Sequence, residues 1–246
     1  MASVGIIGGS GLDWLAGLTD IIEHHLTTRY GQTSAPIVQG RLAGIEVYYL
    51  ARHGTGHTVA PHRINYRANI AALADLGVSD IVAITAVGGI STTARPRRIV
   101  IPDQIIDYTS GREHTFHDGF DFTVRHVDFS YPFCANIRQE LIDEAAALDL
   151  TIELSGTYGV TQGPRLESAA EIARMARDGC AVVGMTAMPE AGLAREAGLN
   201  YANCSLVVNW AAGIADGPID PDEITRNLNT GMTDLLALIT AWLRHR

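Results

Sequence analysis

Short continuous apolar runs rich in β-branched residues recur at residues 4–7, 47–51, 81–85, 99–101, 181–185 and 205–208. Their length and their flanking glycines and polar residues predict buried strands. Between them the apolar positions repeat with the period of a helix. Ile70, Leu73 and Leu76 fall on one face of residues 65–76. Residues 136–148 open on Asn136 at an N-cap position, with Gln139 three residues on. Ser168 and Glu171 form a capping-box pair opening a helix that runs to about Arg177. Asp220-Pro221-Asp222-Glu223 supplies a cap, a proline at the first helical position and acids in the first turn. From there Ile224, Leu228, Leu235, Leu238 and Leu243 make an apolar stripe. This alternation predicts an α/β fold, one sheet wrapped by helices. No repeat, low-complexity tract or linker interrupts residues 1–246, so one domain is expected.

Composition narrows the partners. The 246 residues are 47% apolar and 18% charged, ample for a core and unlike a disordered chain. A net charge of −9 disfavours duplex nucleic acid and anionic membrane, where affinity comes from phosphate neutralisation. Cys134, Cys180 and Cys204 are odd in number and widely spaced, which argues against a disulfide framework and a thiolate metal site. The first residues carry no basic region ahead of their apolar run, and no apolar run reaches 18 residues. A cytoplasmic location is the expectation.

An anion site in an acidic chain must be local, and three segments offer one. Gly5-Ile6-Ile7-Gly8-Gly9-Ser10-Gly11 runs a strand into glycines whose amides can approach an anion, with the Ser10 hydroxyl as a further donor. Trp14 stands where the third glycine of a dinucleotide fingerprint would fall, and no Gly-Lys-Ser/Thr comes after it. A tight turn after an edge strand is the alternative. Arg52-His53-Gly54 comes after the run 47–51; the guanidinium fork suits phosphate and the imidazole adds a directional donor. A surface ion pair is the alternative for Arg52. His57 and His62 lie on a stretch with Gly54, Gly56 and Pro61, so they are not a helical zinc pair. Thr85-Ala86-Val87-Gly88-Gly89 closes the run 81–85. Ligands of open α/β sheets sit at the carboxyl ends of strands, and Ser10, Arg52 and Thr85 mark three such ends. The basic run 95–98 reads as a solvated loop.

Three later segments offer groups that read a ligand edge. Gln162-Gly163-Pro164-Arg165-Leu166-Glu167 leads into the capped helix. The Glu167 carboxylate can accept from a ligand N–H or serve the helix macrodipole. Gly184-Met185-Thr186-Ala187-Met188-Pro189-Glu190 joins a strand end to a helix. Asn209 comes after the run 205–208 as a turn former or as an amide that donates and accepts together, which suits a purine edge.

In order, these blocks resemble the trimeric nucleoside phosphorylase family, in particular its methylthioadenosine/methylthioinosine phosphorylase branch. The matching stretches are GIIGGSGL, LARHGTGH, NYRANIAAL, TAVGGI, DYTSGREHTF, TQGPRLES, VGMTAMPEA and ARE-x-GL-x-YA, and they span nearly the whole chain. The resemblance implies a single α/β domain with a mixed, barrel-like central sheet, assembled as a homotrimer. It implies phosphorolysis with inorganic phosphate as co-substrate and no other cofactor or metal. It places phosphate at Ser10, Arg52, His53, Thr85, Ala86 and Thr186, ribose against Met185, and the base among Gly88, Leu166, Glu167 and Asn209. His57 falls near the 5′ end, with Pro221, Ile224 and Thr225, and His126 comes from a neighbouring subunit.

Departures from the resemblance point to the substrate. Methylthioadenosine phosphorylases carry acids at the positions of Asn209 and Ala211 and a serine at that of Glu167. Here Asn209 can donate to a purine O6 and Glu167 can accept N1–H, which fits a 6-oxopurine and leaves adenine mismatched. General purine nucleoside phosphorylases of the family use a histidine on the last helix for the 5′-hydroxyl. Residues 210–244 contain none and offer Ile219, Pro221, Ile224 and Leu228 instead, which suits a methylthio group. The competing expectations are a methylthioadenosine phosphorylase, a plain inosine/guanosine phosphorylase and a non-catalytic nucleoside sensor.

Overall fold

A computed structural model describes residues 3–12, 15, 17–118 and 123–246. In chain order the elements are β1 (Val4–Gly8), β2 (Thr19–His24), β3 (Thr27–Thr28), β4 (Gly31–Gln32), β5 (Ile37–Leu42), β6 (Ile45–Ala51), α1 (Tyr66–Asp75) and β7 (Asp80–Gly89). Next come β8 (Ile99–Val100), β9 (Gln104–Asp107), α2 (Ala135–Ala147), β10 (Ile152–Glu153), β11 (Thr157–Val160), α3 (Ala169–Arg177), β12 (Cys180–Gly184), α4 (Ala187–Glu196), β13 (Asn200–Trp210) and α5 (Pro221–Leu243). The fold is mixed α/β, as expected. An eleven-stranded sheet runs β10-β8-β13-β7-β1-β6-β5-β2, with β12, β11 and β9 branching from β7.

All six apolar runs are strands, and most extend further than their apolar cores. β7 continues to Gly89, so Thr85 lies inside a strand and not at its end. Continuous pairing with β13 carries it past the point where the apolar pattern fades. β2, exposed along most of its length, had no alternation to betray it.

Helix starts obey their caps. Asn65 accepts from the Ala68 amide. Ser168 and Glu171 close a reciprocal capping box. Asp220 accepts from Asp222 with Pro221 in the first turn. Helix α2 departs from the expectation: its N-cap is Cys134, which makes no side-chain cap, and Asn136 lies inside the first turn. The Cys134 amide instead donates to the Tyr201 carbonyl of β13, anchoring the helix two residues early.

The core lies between the sheet and α1, α2, α4 and α5. Leu235, Leu238, Ile239, Trp242 and Leu243 of α5 are fully or almost fully buried. Burial of such side chains contributes about 1.5–3 kcal/mol each, so the C-terminal half of α5 is pinned. Its first turns are left to face solvent and a cleft. No helix among the described residues is long and apolar enough to cross a membrane.

Candidate active site

The site begins as a gap in strand pairing. β1 runs parallel to β7 as far as Ile7 opposite Ala83. β12 joins the other end of β7, antiparallel, only at Gly88 and Gly89. Between them residues 84–87 have no strand on that edge among the described residues. A switch in strand neighbours of this kind opens a crevice and leaves backbone groups free for a ligand. A cavity of ≈ 290 Å³ fills it, lined at one end by Gly9, Ser10, Arg52, His53, Thr85, Ala86 and Thr186. Gly9 is required there: a Cβ would stand 2.6 Å from the Ile84 carbonyl oxygen and 3.1 Å from an Arg52 nitrogen.

Arg52 is no surface ion pair. It is wholly buried, and its Nε and Nη2 donate to the two Glu190 oxygens at 2.7 and 2.8 Å. Nη1 donates to the Ile84 carbonyl at 3.0 Å, on the unpaired stretch of β7. Tyr201 donates to the same carboxylate. Burial opposes the guanidinium charge, and Glu190 more than offsets it, holding the group above its usual range. Three of five N–H groups are thus taken, and the remaining two belong to the terminal nitrogens. Nearby, Thr85 Oγ donates to Asn203 Oδ1 at 3.1 Å and lies 3.0 Å from the Ser205 hydroxyl, in a buried network.

His53 Nδ1 lies 2.9 Å from the Val59 carbonyl. A carbonyl only accepts, so Nδ1 carries the proton and Nε2 of the neutral ring is a lone pair. Burial first, then the Arg52 charge, bring its pKa down to about 4. Unfolded histidine titrates near 6.5. As pH falls between these values the unfolded chain takes up a proton that the native chain refuses, so stability is lost on acidification. The expected loss from this group between pH 7 and pH 5 is about 2 kcal/mol. Urea unfolding without phosphate at both pH values checks it: His53→Asn should show a shallower pH slope by that amount, and an unchanged slope would remove His53 as its source.

At the other end Gly88, Pro164, Leu166, Glu167, Val208, Asn209 and Ala211 line the cavity. Thr161 Oγ donates to Glu167 Oε1 at 2.5 Å, which orients the carboxylate in the cavity wall. Asn209 Nδ2 donates to the Trp210 carbonyl at 2.7 Å, so the amide keeps one N–H and its oxygen. A bulge sets this side chain. Val207 pairs with Val87 while Asn209 pairs with Gly88, which leaves Val208 as an extra residue and re-aims the side chains beyond it. Met185, just past β12, lines the wall between the two ends. Gly163 passes over it with φ +58, and a Cβ there would lie 2.5 Å from the Met185 sulfur.

Ile219, Ile224 and Leu228 form an apolar wall from the start of α5, joined by His57, whose ring lies 4.3 Å from that of His53. Pro221 and Thr225 are not in the cavity wall; Thr225 Oγ donates back to the Pro221 carbonyl within the helix. His126 is exposed and lines none of the cavity. Among the described residues no group of three His, Cys, Asp or Glu could hold a metal. The sequence reading missed Glu190 and Arg112 as site supports. Residue type marks both as surface charges, and neither has a local partner to betray it.

The family model described as "Phosphorylase superfamily" matches residues 3–244. A Xanthomonas campestris pv. campestris protein named as a probable S-methyl-5′-thioinosine phosphorylase is 48% identical over 96% of this chain and 95% of its own. The 6-oxopurine nucleoside phosphorylase of Pyrococcus furiosus is 43% identical over 98% of this chain and 92% of its own. A Schistosoma mansoni methylthioadenosine phosphorylase, solved with adenine, superposes with a TM-score of 0.94 at 30% identity, covering 99% and 91%. A sheet parted around β7, a basic and hydroxylated end, and kinship over nearly the full length agree: this chain belongs to the phosphorylase superfamily.

Proposed function

We propose that the chain catalyses phosphorolysis of S-methyl-5′-thioinosine to hypoxanthine and 5-methylthioribose 1-phosphate. The observation that carries this reading is that Asn209 and Glu167 line one cavity together with the Arg52–Thr85–Thr186 end. A phosphate oxygen attacks C1′, the C1′–N9 bond breaks, and its electron pair leaves on the purine. Ser10, Arg52, Thr186 and the amides of Thr85 and Ala86 hold the phosphate in line, by positioning and electrostatics, and the His53 Nε2 lone pair accepts from the protonated phosphate oxygen. The free N–H of Asn209 meets the charge growing at O6 and N7, and Glu167 Oε2 accepts N1–H. Adenine presents a bare N1 lone pair to that carboxylate, an unpaired contact costing about 1–3 kcal/mol. Gly88 and Leu166 sandwich the base, Met185 packs on the ribose, and His57, Ile219, Ile224 and Leu228 receive the methylthio group. His126, which lines none of the cavity of its own subunit, reaches a neighbour's site in a homotrimer.

Comparing kcat/KM for methylthioinosine, methylthioadenosine and inosine with phosphate present tests this. Methylthioinosine is expected to lead each rival by at least about 10²-fold. Faster cleavage of the amino analogue overturns the substrate; turnover indifferent to phosphate overturns phosphorolysis.

A further inference from the structure

Arg112 is a buried cation with an unusual set of partners. It is buried to 9% exposure. Nη1 donates to the Met185 and Met188 carbonyls at 2.8 and 2.6 Å. Nη2 donates to the Gln162 and Thr161 carbonyls at 2.9 and 3.2 Å. Nε donates to Gln162 Oε1 at 3.1 Å. Nη1 also reaches the Tyr66 hydroxyl at 3.3 Å, which itself donates to the Pro61 carbonyl at 3.0 Å. No ion pair joins Arg112 to a carboxylate among the described residues. A buried cation is costly unless dipoles or an anion answer it.

The carbonyls it collects belong to two segments that run into separate cavity walls, and Tyr66 links it to a third at Pro61. Residues 161–162 lead to Glu167 and carry the Thr161 hydroxyl that orients it. Residues 185–188 include Met185 and Thr186, and Pro61 lies on the third wall. Turning the Met185 carbonyl toward Arg112 also sends the N–H of the same planar peptide, that of Thr186, the opposite way.

We infer that Arg112 is a positioning residue that locks the base-reading wall and the phosphate-binding wall in one register, through a guanidinium fork that lysine cannot reproduce. This rests on the function proposed above. A misplacement of about 1 Å at such a wall costs about 10²-fold in rate, and here both ends of the cavity move together.

The test is steady-state kinetics of Arg112→Lys, with thermal unfolding alongside. Arg112→Lys is expected to raise the phosphate KM about 10-fold and to cut the keto-over-amino kcat/KM ratio about 10-fold, beyond any fall in kcat. Gln162→Leu removes the side-chain acceptor of Nε and should move both parameters the same way, by several-fold, which keeps the test open should the lysine variant not fold. A folded Arg112→Lys enzyme with both parameters at wild-type values overturns the inference, as does Gln162→Leu at wild-type values if the lysine variant is unfolded. Wild type is measured in parallel. A wild type that fails to prefer the keto base defeats the substrate reading, and the phosphate KM still decides the role of Arg112.

Discussion

Asn209→Asp is expected to reverse the preference for the purine's 6-substituent. A carboxylate at 209 sets lone pairs against O6 of a keto base and welcomes an N6 amine. The wild-type amide still has a free N–H after bonding the Trp210 carbonyl; the variant has none. Losing that donor and gaining a repelled acceptor should each cost the keto substrate about 1–3 kcal/mol. That corresponds to a fall in kcat/KM for methylthioinosine of about 10²-fold or more, while methylthioadenosine gains. Adding Glu167→Ser removes the carboxylate that opposes adenine N1 and should complete the reversal. The ratio of kcat/KM values for the two nucleosides, in wild type, single and double variants, is the measurement. A ratio that stays at the wild-type value in both variants would take Asn209 and Glu167 out of base recognition.

The second large effect belongs to Arg52. Truncating it to Met strands the Glu190 carboxylate, which is fully buried, with only the Tyr201 hydroxyl as donor. Breaking a buried pair by removing one partner costs about 3–5 kcal/mol, which for a chain of this size lowers Tm by about 10 °C. The phosphate KM should rise by about 10²-fold, because a charge-assisted donor is worth about 1.5–3 kcal/mol. One variant cannot separate these losses, but a pair can. Arg52→Met combined with Glu190→Leu removes the stranded charge, so part of the stability returns. It restores no donor, so phosphate affinity stays low. Urea unfolding and phosphate saturation curves on both variants check this; a normal phosphate KM in the double variant would make Arg52 a structural residue only.

The two ends of the cavity were not equally legible. Ser10, Thr85 and Thr186 sit in glycine- and hydroxyl-rich segments where apolar strand patterns fade, and short-range chemistry there already favours anions. Glu190 and Arg112 left no such trace. Glu190 lies 138 residues from Arg52, and Arg112 gathers carbonyls some 50 and 75 residues further along. Long-range polar pairs have no period, and residue type alone assigns such charges to the surface.

By itself the sequence determined the local elements: six buried strands, the apolar face of α1, the capped starts of α3 and α5, and the order of the motif blocks that resembles one family. Those arise from side-chain period and from hydrogen bonds within a few residues, which act wherever the segment lies. Only the tertiary structure decided that β7 loses β1 before it gains β12, that a bulge at Val208 aims Asn209 into the gap, and that Pro221 turns away from the wall that Ile224 and Leu228 form. Each depends on which strands meet and in what register, and register is settled by packing across the whole sheet rather than by any one segment.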